Sequence, residues 1–257
     1  MKSEDRGCIG YKELIIFIHI PKTGGATTRS ILSKNYKEHF LDAMLHGRRS
    51  ANGGCKTAIS LDYDVECLIS RLCGAPESLE CIAINLPFGV HAFLRRPTIY
   101  ITFLRDPVAR CISFWNEAYR FRLVSNTWSI LEGFDFDIDE ILLSKAVPEL
   151  INDQTRMLSG SGEFDCTRKD LDAAEFNISS GKIIAGSLDT YDIDIEAMSS
   201  IFYWNTIEHE ALNRSDPYKQ PILPTNFRQK IMEANDLDVE LVKWNFINGR
   251  RWPVVGT

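Results

Sequence analysis

The chain has 257 residues, 44% hydrophobic and 25% charged, which is typical of one globular domain spanning residues 1–257. Its net charge of −6, from 29 Lys and Arg against 35 Asp and Glu, argues against binding of a long polyanion such as nucleic acid. The longest early apolar run, residues 14–20, is too short to cross a membrane, and the seven scattered cysteines form no CxxC pair. We therefore expect a cytoplasmic protein with reduced thiols and no membrane association.

Buried strands are predicted first, and helices dominate later. The predicted strands cover residues 14–20, 81–86, 98–104 and 182–186. Nearly continuous apolar, β-branched runs of this kind are typical of strands buried on both faces of a parallel sheet. The predicted helices cover residues 26–40, 65–72, 107–123, 138–145, 149–158, 171–175, 195–204 and 227–248, with a break near Asn235 and a polar loop over 45–54. This order predicts an α/β fold with a central parallel β-sheet flanked by helices and a mostly helical C-terminal half.

Residues 21–28 (Pro-Lys-Thr-Gly-Gly-Ala-Thr-Thr) join the first predicted strand to a helix and resemble an anion-binding loop. Gly24 and Gly25 allow a tight turn that brings backbone N–H groups close to an anion, and the helix start adds further donors. Lys22 adds a positive charge. Thr23, Ala26, Thr27 and Thr28 of the same segment are also predicted to bind the anion, and the threonines offer hydroxyl donors. The lysine precedes the glycines, so this is not the Walker pattern, and a purely structural turn is the alternative.

A second pair of polar residues follows another predicted strand. Arg105 directly follows the strand over residues 98–104. Ser113 lies about two turns into the next helix, which begins at Pro107. The carboxyl ends of parallel strands open on one edge of the sheet, where α/β proteins bind ligands. Arg105 and Ser113 are therefore predicted to bind a second phosphate. The alternative is a salt bridge between Arg105 and Asp106 with an exposed serine.

Residues 17–25 (Phe-Ile-His-Ile-Pro-Lys-Thr-Gly-Gly) and 104–113 (Leu-Arg-Asp-Pro-Val-Ala-Arg-Cys-Ile-Ser) together resemble two signatures of the sulfotransferases that use 3′-phosphoadenosine 5′-phosphosulfate (PAPS). The resemblance is to the group containing the heparan sulfate 2-O- and 6-O-sulfotransferases and their bacterial relatives. Residues 87–91 and 152–158 are similar to further segments of that family. The resemblance implies a P-loop-NTPase-like fold, a first motif that holds the 5′-phosphosulfate, and Arg105 and Ser113 on the 3′-phosphate.

The resemblance also suggests catalytic residues. Lys22 is predicted to neutralise charge on the leaving nucleotide, and no metal is expected to be needed. His91 matches a histidine that acts as a base in the 6-O-type enzymes, and histidine titrates near neutral pH. Bacterial members often carry Gly-His just before the Pro-Phe-Gly segment, whereas this chain has Ile84 and Asn85. This chain therefore departs from the family's pattern close to the predicted base.

The sequence therefore predicts in-line transfer of a sulfuryl group from PAPS to a hydroxyl or amine of a small-molecule or short saccharide acceptor. Two alternatives are open. A P-loop-type nucleotide kinase would need a lysine after the glycines and carboxylates for Mg²⁺, and neither pattern is evident in the sequence. A non-catalytic protein that binds adenosine 3′,5′-bisphosphate would not need His91 and Lys22.

Overall fold

The computed structural model describes residues 13–43, 74, 77–94, 96–123, 126–161, 165–209 and 223–249. Its strands are β1 (Leu14–Ile18), β2 (Phe40–Asp42), β3 (Cys81–Ile84), β4 (Thr98–Leu104) and β5 (Ile183–Ser187). They form one parallel sheet in the order β2-β3-β1-β4-β5, so that β1 lies at the centre. The predicted parallel sheet is confirmed. The short edge strand β2 was not predicted, and the predicted helix over residues 26–40 overlaps only its first residue, Phe40.

The helices are α1 (Gly25–Tyr36), α2 (Pro107–Arg120), α3 (Asn126–Gly133), α4 (Ile138–Ser144), α5 (Asp153–Ser159), α6 (Arg168–Ser179), α7 (Tyr191–Phe202), α8 (Phe227–Ala234) and α9 (Asp236–Trp244). Short 3₁₀ turns cover Lys37–His39, Val90–Phe93, Pro148–Leu150 and Leu188–Thr190, and a π-helical turn covers Asn245–Gly249. The predicted break at Asn235 separates α8 from α9, whereas α3 was not predicted. The predicted helix over residues 65–72 and loop over 45–54 lie outside the described residues.

Alternate residues of each strand face opposite sides of the sheet, and both sides are covered. Ile16 and Ile18 of β1 pack with residues of α5, α6 and α9, whereas Phe17 packs with residues of α1 and α7. A third apolar cluster joins α2, α3, α4 and α8 around Trp115. Burial of β1 on both faces explains its continuous apolar sequence. The two layers leave the carboxyl ends of β1 and β4 on one edge of the sheet, facing α2.

Candidate functional site

A cavity of about 690 Å³ opens at the carboxyl ends of the strands. Its wall includes the loop after β1, residues of α2 and the segment that follows β5. Lys22 follows β1, Arg105 follows β4 and Leu188 follows β5, so three strand ends contribute to the wall. Strand ends that converge in this way are the usual ligand-binding position in open α/β sheets. The volume lies within the range of small-molecule sites.

The loop after β1 has the backbone geometry of an anion site. Lys22 and Gly24 both have left-handed φ angles, 70° and 88°, and Gly24 is the N-cap of α1. No side chain among the described residues caps this helix, so its first N–H groups have no side-chain acceptor there. Gly24, Gly25, Ala26 and Thr27 line the cavity. The cavity therefore meets the positive end of α1 beside the Lys22 amine.

His19, immediately after β1, favours glycine at position 25. A Cβ atom on Gly25 would lie 1.8 Å from Cδ2 of His19, so a side chain there requires His19 or the loop to move. The imidazole ring stacks on Phe17 at 6.1 Å and contributes to the cavity wall. His19 thus packs on the loop and lines the cavity at the same time.

Arg105 connects the two predicted anion sites. Its Nη1 donates a hydrogen bond to the Lys22 carbonyl oxygen at 3.0 Å, which helps to hold Lys22 in its left-handed conformation. Partial burial lowers the pKa of Arg105, with Asp189 and Asp106 opposing the effect, but arginine stays protonated at any relevant pH. Ser113 of α2 lines the same cavity. Arg105 and Ser113, the residues predicted to bind a second phosphate, therefore both lie next to the loop after β1.

Gln154 fixes the backbone of Arg105 from both sides. The Arg105 N–H donates to Gln154 Oε1 at 2.8 Å, and Gln154 Nε2 donates to the Arg105 carbonyl oxygen at 2.9 Å. The fully buried carboxylate of Asp238 accepts from the Gln154 N–H at 3.1 Å and from Thr155. Burial raises the pKa of Asp238, while Arg110 and these hydrogen bonds oppose the rise. We refer to Asp238, Gln154 and Arg105 as the polar strut.

Glu117 of α2 forms an ion pair with Lys22 inside the cavity. Lys22 Nζ lies 2.8 Å from Glu117 Oε1, and the side chains are 15% and 37% exposed. The amine proposed for an anionic ligand is thus bound to a carboxylate in this structure.

An aromatic wall forms another side of the cavity. Tyr191, at the start of α7, shares a hydrogen bond of 2.9 Å with the Thr28 hydroxyl. Burial raises the pKa of Tyr191 to about 12, an effect that the bond to Thr28 opposes. The ring of His209 meets Tyr191 edge-on at 5.5 Å, and Leu188 lies nearby in the same wall. This surface is suited to contact with a planar apolar group.

The structure brings together most of the residues that the sequence predicted for the nucleotide. Lys22, Gly24, Gly25, Ala26, Thr27, Arg105 and Ser113 all line the cavity. Thr23 and Thr28 lie behind the loop instead. The Thr23 hydroxyl donates to the Ile20 carbonyl oxygen at 2.9 Å, and the Thr28 hydroxyl contacts Gly24 and Tyr191. These two hydroxyl groups support the loop and its packing.

His91 does not lie with the other predicted site residues. Its Nδ1 is 3.0 Å from the Tyr100 hydroxyl, to which the His91 N–H also donates, and its ring packs on Phe88. Tyr100 precedes Arg105 by five residues, about 16 Å along a strand. Burial, with a smaller contribution from Lys182, lowers the pKa of His91. His91 does not contribute to the described cavity wall, and its role as a base stays a prediction.

Sequence reasoning missed several residues of the cavity wall. Glu117 follows Ser113 by four residues on α2, so both lie on one face of the helix. This spacing could have identified Glu117 as a residue of the cavity wall. Tyr191 follows β5 closely, so the strand-end rule that selected Arg105 applies to it as well. Arg29 also lines the cavity, and it pairs with Asp42, the last residue of β2, a strand that was not predicted.

No protein-family model matches the chain, and no curated protein matches it. Within the described residues, no group of three or more His, Cys, Asp or Glu side chains is arranged to hold a metal ion. In the same part of the chain, no helix has both the length and the apolar character needed to cross a membrane.

Proposed function

We propose that the chain is a sulfotransferase that transfers a sulfuryl group from PAPS to a hydroxyl or amine of a small-molecule or short saccharide acceptor. The observation that carries the proposal is the contact between Arg105 and the Lys22 carbonyl oxygen, because it sets two cationic sites side by side in one cavity. A nucleotide with phosphates at both its 3′ and 5′ positions needs two such sites. The proposal extends to a cytoplasmic setting, and Cys81, Cys111 and Cys166 are free thiols.

Each part of the cavity has a role in this proposal. The N–H groups at the start of α1 and the Lys22 amine would hold the 5′-phosphosulfate and neutralise charge on the departing bridging oxygen. Arg105 and Ser113 would hold the 3′-phosphate. Tyr191 and Leu188 offer an apolar surface for the planar base. The protein would act mainly by positioning the donor and stabilising its charge.

The first experiment measures nucleotide binding by calorimetry. Adenosine 3′,5′-bisphosphate should bind more tightly than adenosine 5′-monophosphate, and Arg105→Ala should weaken the bisphosphate by about 10- to 100-fold. The monophosphate should lose less affinity, although Arg105 also holds the Lys22 carbonyl. Arg168→Ala removes an exposed arginine that pairs with Glu240 and serves as the control. Equal weakening of both nucleotides by Arg105→Ala would contradict the 3′-phosphate role.

The second experiment separates the proposal from its alternatives. The protein is incubated with ³⁵S-labelled PAPS and a panel of alcohol, phenol, amine and oligosaccharide acceptors, with and without EDTA. A sulfotransferase of the proposed kind should label an acceptor in the presence of EDTA. A nucleotide kinase would require Mg²⁺ and ATP instead, and a non-catalytic binder would bind the bisphosphate without labelling any acceptor.

A further inference from the structure

The ion pair between Lys22 and Glu117 is unusual for an anion-binding cavity. A carboxylate at 2.8 Å neutralises the amine that the donor would need, and its own charge repels an anionic ligand. Glu117 is 37% exposed and lines the cavity, so the repulsion acts directly on a bound anion. Binding of the donor therefore requires Lys22 to exchange Glu117 for the phosphosulfate. This exchange leaves a carboxylate without its cation beside the reacting group.

We infer that Glu117 is the proton acceptor of the transfer, an inference that rests on the proposed function. Once Lys22 has turned to the donor, the freed Glu117 carboxylate takes the proton of the acceptor hydroxyl. The acceptor oxygen forms a bond to sulfur as the bond from sulfur to the bridging phosphate oxygen breaks. The electron pair of the broken bond stays on the bisphosphate product, where Lys22 neutralises it. The sulfated acceptor and a protonated Glu117 remain.

Other ionisable groups near the cavity are placed less favourably for this step. His19 packs against Gly25, and His209 lies on the aromatic wall, where its Nδ1 is 2.9 Å from the Ile207 carbonyl oxygen. Asp192 is largely exposed and lies 3.7 Å from His209. Glu117 is the carboxylate in contact with Lys22, and it lies one helical turn after Ser113. It is therefore adjacent to both anion sites.

The binding test uses Glu117→Gln, which keeps the shape of the side chain and removes its charge. Adenosine 3′,5′-bisphosphate should bind about two- to fivefold more tightly to this variant, because Lys22 no longer leaves a charged partner. Glu140→Gln removes an exposed glutamate from α4 and is the charge-matched control. Unchanged or weaker binding by Glu117→Gln would contradict the exchange of partners.

The rate test uses the acidity of the acceptor. With ³⁵S-labelled PAPS and an aliphatic alcohol from the panel, Glu117→Gln should lower turnover by about 10²- to 10⁴-fold. With 4-nitrophenol, which is already partly ionised near neutral pH, the loss should be much smaller, since no base is then required. A structural role for Glu117 would lower both rates equally. This contrast between acceptors is specific to a proton acceptor.

The comparison with His91→Gln decides between the two possible bases. If His91→Gln shows the acceptor-dependent loss and Glu117→Gln turns over like the wild type, the inference is wrong and the sequence-based assignment is right. Failure of the wild-type protein to bind the bisphosphate or to label any acceptor would overturn the proposed function itself. Bisphosphate binding and acceptor labelling by the wild type, measured in parallel, distinguish these two failures, because both persist when only the assignment of the base is wrong.

Discussion

At the level of single residues, Gly25 shows how packing can dictate an amino acid. The ring of His19 occupies the space that a side chain at position 25 would need, with Cδ2 only 1.8 Å from the ideal Cβ position. Gly24 differs, because its φ of 88° already favours glycine. The two glycines are therefore required for different reasons, and both keep the backbone of the loop facing the cavity.

We predict that Gly25→Ala destabilises the protein by about 1–3 kcal/mol, because His19 or the loop must move to admit the methyl group. Affinity for adenosine 3′,5′-bisphosphate should fall as well. Gly133→Ala is the matched control, since a Cβ there meets no atom within 4 Å. Urea unfolding and calorimetry measure the two effects. His19→Ala combined with Gly25→Ala should recover part of the lost stability, and no recovery would show that the ring is not the obstacle.

At the level of elements, the polar strut links three parts of the chain to the cavity. Asp238 lies on α9, Gln154 on α5, and Arg105 follows β4. Asp238 and Gln154 are fully buried, so each of their hydrogen bonds is costly to break without replacement. Residues 152–158 do not line the cavity. Through Gln154, this segment instead positions Arg105, which does line it.

We predict that Gln154→Leu weakens binding of adenosine 3′,5′-bisphosphate by about tenfold, because Arg105 loses both backbone partners. Binding of adenosine 5′-monophosphate should change less, so the ratio of the two affinities falls. Asn177→Leu is the control. It removes another buried amide, which donates to the Leu158 carbonyl oxygen at 2.9 Å away from the cavity. Both variants should lose stability. If both leave the ratio of affinities unchanged, Gln154 has only a structural role.

The sequence contained enough information to predict the parallel sheet and most of the loop residues that line the cavity. Each long strand is buried on both faces and is therefore continuously apolar, and the loop residues are adjacent in sequence. Strand β2 could not be predicted because Phe-Leu-Asp is three residues long and directly follows a helical segment. The contact between Lys22 and Glu117 spans 95 positions and leaves no local pattern. His91 was predicted as the base from the family resemblance. Its hydrogen bond with Tyr100 could not be predicted, because nothing in the sequence distinguishes Tyr100 from other aromatic residues in strands.

At the level of the whole molecule, the two faces of the sheet make different contributions. The face that packs on α1 and α7 supports the loop after β1, whereas the opposite face packs on α5, α6 and α9 and carries the polar strut. Tyr100 belongs to this second face, and its hydroxyl holds His91 near the start of β4. His91 thus packs at the margin of this face through Tyr100 and Phe88, so we expect its protonation to affect folding.

Burial, and to a lesser degree Lys182, lowers the pKa of His91 from its ordinary 6.5, so the folded protein binds fewer protons here than the unfolded chain does. The stability due to neutral His91 is therefore complete above the ordinary pKa and is lost as the pH falls through it towards the folded value. We predict that the urea midpoint of the wild type falls more than that of His91→Gln when the pH is lowered from about 7.5 to about 5.5. His39→Gln, at a partly exposed position in a 3₁₀ turn, is the matched control. An equal fall in wild type and His91→Gln would show that this histidine does not couple protonation to folding.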